Sequence, residues 1–117
     1  MNVLILEDDP LNTRMPKFRR NLIGHTIYHA KTPRDAISFL RSKTIDALFL
    51  DHDLGGTGQP EESGPGTGYE VACWLEEHPQ FKPNQIVLHS LNPTGRARMK
   101  QALPEAHDAP GAWDLIR

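Results

Sequence analysis

An α/β fold is predicted for this chain of 117 residues, as a three-layer sandwich around a doubly wound parallel sheet of about five strands. Short apolar runs alternate with amphipathic stretches of helical spacing, which is the pattern of consecutive β-α units. The run Ile45–Leu50 is almost wholly apolar, as expected of a central strand covered on both faces. Acidic, histidine and hydroxyl residues follow three of the apolar runs, where ligands bind in such sheets.

The strands and helices can be assigned in order along the chain. Strands are expected at residues 2–6, 26–29, 45–50 and 85–88, with a weaker one near Ala106. A first helix is expected from Asp9 to Gly24, where Pro16 kinks it or delays its start. A second is expected from Pro33, with Thr32 as N-cap and Asp35 in a capping-box-like position. Two more are expected over residues 69–77 and after Asn92-Pro93. We therefore expect a single domain over residues 1–117.

Two segments depart from this regular alternation. Residues 55–68 contain six glycines and two prolines and are expected to form a long functional loop. The last predicted helix, around residues 112–116, is abbreviated.

Composition excludes several classes of protein. Thirteen basic against fifteen acidic residues give a net charge of −2, which argues against a general nucleic-acid coat protein. Cys73 is the single cysteine, so an internal disulfide and a cysteine-rich zinc site are excluded. No apolar run approaches the roughly 18–20 residues of a membrane span, and no leader pattern follows Met1, so we expect a cytoplasmic location and no membrane partner.

Carboxylates gather after the first and third strands. Glu7 and Asp8 follow one apolar run and Asp51 follows another, and such a cluster needs a cation because like charges repel. Carboxylate oxygens suit a hard cation, so these three residues are metal-ligand candidates for Mg²⁺ or Mn²⁺, with the backbone carbonyl of Asp53 as a further ligand. Asp9 is better explained as a helix cap.

Two of the strand motifs resemble those of response-regulator receiver domains. The matching segments are VLILEDDP at residues 3–10 and LFLD at residues 48–51, together with Gly68-Tyr69-Glu70. The resemblance implies Mg²⁺ binding by Glu7 and Asp8, a phosphoacceptor at Asp51 and a hydroxyl contact from Ser90. Receivers also carry a lysine at the end of strand five, but no lysine follows Lys100 in this sequence.

A narrower resemblance is to the cyclic-phosphate processing receiver domains. It lies in LDHDLGG at residues 50–56, in HSLNPTGR at residues 89–96, and in Arg14 followed by Phe18. It implies handling of cyclic phosphate ends of RNA or of nucleotides.

The residue chemistry suits that activity. His52 and His89 follow neighbouring strands, and histidine serves as acid or base near neutrality. Together with Asp51, these histidines are the predicted catalytic residues. The helix after Asn92 offers free backbone N–H groups to a phosphate, to which Arg96 or Arg14 adds a guanidinium. Ser90, Asn92, Arg96 and Arg14 are thus the phosphate-binding candidates.

Other reactive side chains are more simply explained by structure. His25, His29, His78 and His107 are expected to be structural or exposed. Cys73 is expected to be buried, Trp74 and Trp113 to pack, Arg98 to be solvated, and Tyr69 to pack against the core rather than to stack a base.

Three functions remain open at this stage. The first is a metal-dependent domain that processes or binds cyclic-phosphate ends, with a nucleotide or RNA end as substrate and an RNA-repair enzyme as partner. The second is a phosphorelay receiver modified at Asp51 by a kinase. The third is a non-catalytic pseudo-receiver that only binds a partner or nucleotide.

Overall fold

A five-stranded parallel sheet forms the centre of the molecule. The structure, a computed structural model, describes residues 1–6, 24–50, 68–88 and 93–108. The strands are β1 (Asn2–Leu6), β2 (Thr26–Ala30), β3 (Ala47–Leu50), β4 (Gln85–Leu88) and the two-residue β5 (His107–Asp108). They lie in the order β2-β1-β3-β4-β5, and every pair is parallel.

Three helices connect the described strands. They are α1 (Pro33–Ser42), α2 (Gly68–Glu77) and α3 (Pro93–Ala102), and a short 3₁₀ helix, Pro79–Phe81, follows α2. None of the described helices is long and apolar enough to cross a membrane. The predicted helix from Asp9, the loop 55–68 and the abbreviated last helix lie almost wholly outside the described residues.

The start of α1 follows the predicted capping chemistry. Thr32 is the N-cap with an extended backbone, and its hydroxyl accepts a hydrogen bond of 3.2 Å from the Asp35 amide. Pro33 occupies the first turn, where its missing N–H costs nothing. At the other end, the amide of Lys43 donates to the Phe39 carbonyl at 2.8 Å.

Gly24 stands just before β2 with a positive φ of 90°. Glycine adopts this conformation readily because it has no Cβ. Glycine with a positive φ is common just after a helix, the position predicted for Gly24, but the helix predicted before it lies outside the described residues.

One apolar layer joins the three helices to the sheet. Alternate strand residues, among them Leu4, Leu48 and Ile86, belong to one buried cluster with helix residues such as Leu40 and Leu75. The intervening strand residues are buried as well: Ile5 and Phe49 are 0% exposed. Burial on both faces explains why β1 and β3 read as continuous apolar runs rather than as alternating ones.

Polar contacts fix the amino end of β1 against the turn that precedes β3. The Asn2 amide donates to Asp46 Oδ2 at 2.7 Å, and the Asn2 side chain donates to the Thr44 carbonyl at 2.7 Å. Strand β3 begins at Ala47, two residues later than the apolar pattern predicts. Ile45 is nonetheless buried, so its apolar character reflects packing rather than strand pairing.

Candidate functional site at the carboxyl edge of the sheet

The carboxyl ends of the central strands form one lateral row. Leu6 of β1 pairs with Leu50 of β3, and Leu50 pairs with Leu88 of β4. All three side chains are 0% exposed. In the strand order β2-β1-β3-β4-β5 the topological switch point lies between β1 and β3, where open α/β sheets bind their ligands.

The predicted site residues follow this row directly in the sequence. Glu7 comes after Leu6, Asp51 after Leu50, and His89 after Leu88. Of the candidates, Arg96 is the one that the structure describes. The others lie outside the described residues: Glu7, Asp8, Arg14, Asp51, His52, Asp53, His89, Ser90 and Asn92.

Arg96 lies near the amino end of α3. The helix begins at Pro93, as the Asn92-Pro93 signature predicts, and Arg96 is half-buried there. Because helices that follow parallel strands start at the carboxyl edge of the sheet, the first turns of α3, which include Arg96, lie at the same edge as the row of leucines.

Tyr69 and Cys73 form a contact along α2, one helical turn apart. Tyr69 packs against the core cluster, as expected. The pKa of Tyr69 is raised above 10.0, chiefly by a hydrogen bond to Cys73 and by the charge of its thiolate. Burial and Glu76 add to the shift, and the charge of Arg98 opposes it. Arg98 is of intermediate exposure and is close enough to Tyr69 for its charge to act on the phenol.

Cys73 is also less buried than predicted. It is a free cysteine of intermediate exposure, whereas the buried stripe of α2 consists of Gly68, Val71, Ala72 and Leu75. Cys73 lies beside that stripe because one residue turns a helix by about 100°, so its side chain flanks the core instead of entering it.

Three of the described histidines outside the predicted site have structural surroundings or are exposed. His78 stacks on Trp74 with ring centroids 4.6 Å apart, and its Nδ1 lies 2.9 Å from the Trp74 carbonyl. His25 Nδ1 lies 3.1 Å from the amino group of Met1. His107 is exposed. Trp74 also stacks on Phe81 at 5.3 Å, which confirms its packing role.

The chemistry of the predicted metal ligands fits a hard divalent cation. Within the described part of the chain, no group of three or more His, Cys, Asp or Glu residues is placed to hold a metal. The predicted ligands Glu7, Asp8 and Asp51 supply carboxylate oxygens, which Mg²⁺ and Mn²⁺ prefer.

A groove between α1 and α2 is a feature that sequence reasoning missed. Its volume is about 620 Å³, and its lining residues are Arg34, Ile37, Ser38, Arg41, Ser42 and Glu70. The signal was present in the spacing of Arg34, Ser38 and Arg41, which places them on one face of a helix.

Comparison with known proteins assigns the family. The family model of the cyclic-phosphate processing receiver domain matches residues 3–105. The chain belongs to this family. The match includes every predicted site residue, from Glu7 to Arg96.

Solved structures agree on the receiver fold of this cyclic-phosphate processing receiver domain. The Thermotoga maritima response regulator TrrA, solved with Mg²⁺-BeF, is 20% identical with a TM-score of 0.67, covering 98% of this chain and 91% of its own. The phosphorylated cyanobacterial regulator RcpA is 15% identical with a TM-score of 0.69, at 98% and 84% coverage. A LuxO-type receiver domain from Vibrio parahaemolyticus is 19% identical with a TM-score of 0.66, at 98% and 82% coverage. No match was found among curated proteins.

Proposed function

We propose that this receiver domain binds a divalent metal and processes cyclic-phosphate ends of RNA or of nucleotides. The observation that carries the proposal is the register Leu6–Leu50–Leu88, which aligns the ends of β1, β3 and β4 at the switch point of the sheet. The stretches that bear carboxylates and histidines follow these three ends in the sequence. A family model named for cyclic-phosphate processing spans all of them.

The metal ligands in this proposal are Glu7, Asp8 and Asp51, with the carbonyl of Asp53. A bound Mg²⁺ or Mn²⁺ would place positive charge on the phosphate and lower the pKa of a coordinated water.

The proposed reaction is hydrolysis of a cyclic phosphodiester. Water forms a new O–P bond, one ring P–O bond breaks, and the product is a phosphomonoester beside a free hydroxyl. Of His52 and His89, one accepts the proton of the water and the other donates a proton to the departing oxygen. Ser90, Asn92, Arg96 and Arg14 hold the phosphate through hydrogen bonds and charge.

Turnover of 2′,3′-cyclic nucleotides and of RNA with a cyclic end, in Mg²⁺ or Mn²⁺, tests the proposal. We expect hydrolysis by the wild-type chain and a loss of about 100-fold or more in His89→Ala, the scale of one general acid or base. Lys82→Gln, at a surface ion pair of 3.1 Å with Glu105, serves as the control and should retain full turnover. Absence of turnover on every cyclic substrate would contradict the proposal.

Phosphorelay signalling through Asp51 is the second candidate. The receiver fold favours it, because receivers solved in a phosphorylated state and with Mg²⁺-BeF share this fold. The lysine pattern opposes it. Receivers carry a lysine at the end of strand five, whereas the last lysine of this sequence, Lys100, comes before β5. Its ammonium donates a hydrogen bond to the carbonyl of Ala106, which also precedes β5.

A small phosphodonor with Mg²⁺ distinguishes this second candidate. A relay receiver gains the mass of one phosphoryl group, and Asp51→Asn prevents the gain. We expect no stable phosphoryl adduct on the wild-type chain. A chain with neither turnover nor an adduct would instead be the pseudo-receiver of the third hypothesis.

A further inference from the structure

We infer that the groove between α1 and α2 binds the phosphodiester backbone of a single RNA strand, so that the substrate of this domain is an RNA end rather than a free nucleotide. The inference rests on the proposed function and names the substrate class of the same site.

The groove has a basic wall on α1. Arg34 and Arg41 both line it and are exposed. Seven residues separate them, so they stand about 10.5 Å apart along the axis and within about 20° of one face of the helix. Within the described part of the chain, neither guanidinium takes part in an ion pair.

The charge of this segment opposes that of the whole chain. Residues 31–43 carry four basic side chains and one acidic one, while the complete chain has a net charge of −2. All four basic side chains, Lys31, Arg34, Arg41 and Lys43, are exposed. A basic surface on an acidic protein selects polyanions locally rather than binding them everywhere.

The groove also leads to the proposed catalytic edge. Ala30, the last residue of β2, pairs with Leu6 in the row of strand ends. Two residues separate Ala30 from Pro33, where α1 begins. Arg34 lies in the first turn of α1, near that edge, and Arg41 lies in the last turn, farther away. A strand whose terminal phosphate reaches the carboxyl edge would therefore lay its preceding phosphates along the groove.

The opposite wall favours RNA over an acidic peptide. Glu70, in the first turn of α2, lines the groove and is exposed. A carboxylate accepts hydrogen bonds from the amino groups of bases, which a single strand exposes. The ionised side chains of an acidic peptide are acceptors only and offer Glu70 no such donor. Two guanidiniums and one carboxylate thus match a ligand that carries both phosphates and hydrogen-bond donors.

The test measures the affinity of a short single-stranded RNA with a 3′-hydroxyl end for the full chain, at several salt concentrations. Arg34→Gln/Arg41→Gln is compared with Lys82→Gln/Lys100→Gln, which removes the same charge from residues that do not line this groove. We expect the double arginine variant to bind about tenfold more weakly. The slope of the logarithm of the binding constant against the logarithm of the salt concentration should become shallower by about 1.4, the value for two phosphate contacts on a single strand. The lysine pair should leave the affinity unchanged.

Three results would overturn the inference. They are equal affinities of the two double variants, wild-type binding that does not depend on salt, and displacement of the RNA by polyglutamate at equal charge concentration. Failure of the proposed function is read separately, from turnover of the cyclic end by the wild-type chain. The RNA used here has no cyclic end, so the two failures are distinguishable.

Discussion

At the amino end of α1, one hydroxyl satisfies an otherwise free backbone donor. The Oγ1 of Thr32 accepts from the Asp35 amide, and we expect Thr32→Ala to lower the free energy of unfolding by about 1 kcal/mol. Ser38→Ala, at an exposed position within the same helix, is the control and should cost nothing because alanine favours helices. Urea unfolding measures both. Equal stability of Thr32→Ala and the wild type would show that the cap contributes nothing.

The Tyr69–Cys73 contact predicts a shifted phenol titration. Hydrogen bonding to Cys73 is the largest cause that raises the pKa of Tyr69, so removing the thiol should lower that pKa toward 10.0. Ultraviolet absorbance of the phenolate follows the titration, and Tyr69→Phe identifies which of the two tyrosines responds. A titration curve that Cys73→Ala leaves unchanged would disprove the contact.

Between elements, Lys82 and Glu105 join the segment before β4 to the segment after α3. Burial acts to raise the pKa of Glu105, but a backbone hydrogen bond and the Lys82 ammonium outweigh it, so the pKa falls below its ordinary value of 4.5. A carboxylate with a lowered pKa stabilises the fold above its ordinary pKa, and that contribution is lost as the pH falls through the lowered value.

The expected effect of this ion pair is small and depends on pH. Glu105 is 49% exposed, so Glu105→Gln should cost less than about 1 kcal/mol at pH 7. The difference from the wild type should vanish in acid, as chemical unfolding at a series of pH values can measure. A difference that persists well below pH 4.5 would contradict the role assigned to the pair.

The regular elements were predictable from local chemistry. Strand β4 matches its predicted range, and α1 matches its cap, because apolar runs and capping residues act over a few neighbouring positions. Strand β3 starts late because Ile45 is apolar for packing rather than for pairing. Strand β5 has two residues, too few for a pattern, and only its pairing with β4 defines it.

The candidate site was predictable only as a location. Parallel strands imply a shared carboxyl edge, and the register of Leu6, Leu50 and Leu88 confirms that their ends are aligned. The groove on α1 was missed because Glu70 is 29 positions from Arg41 in the sequence and joins it only through the packing of α2 on α1. The spacing of the α1 residues is a local signal, but the position of Glu70 beside them depends on tertiary structure.

For the whole molecule, the central claim is that the ends of β1, β3 and β4 border one metal and phosphate site. Paramagnetic broadening of backbone amide signals by Mn²⁺ tests it most directly. We expect the strongest broadening at Leu6, Leu50 and Leu88 and little at Val3, Ala47 and Gln85, which lie about 10 Å farther along the strands. Asp8→Asn should reduce the broadening. Signals that broaden mainly at the amino ends of the strands, or on surfaces away from the sheet, would contradict the claim.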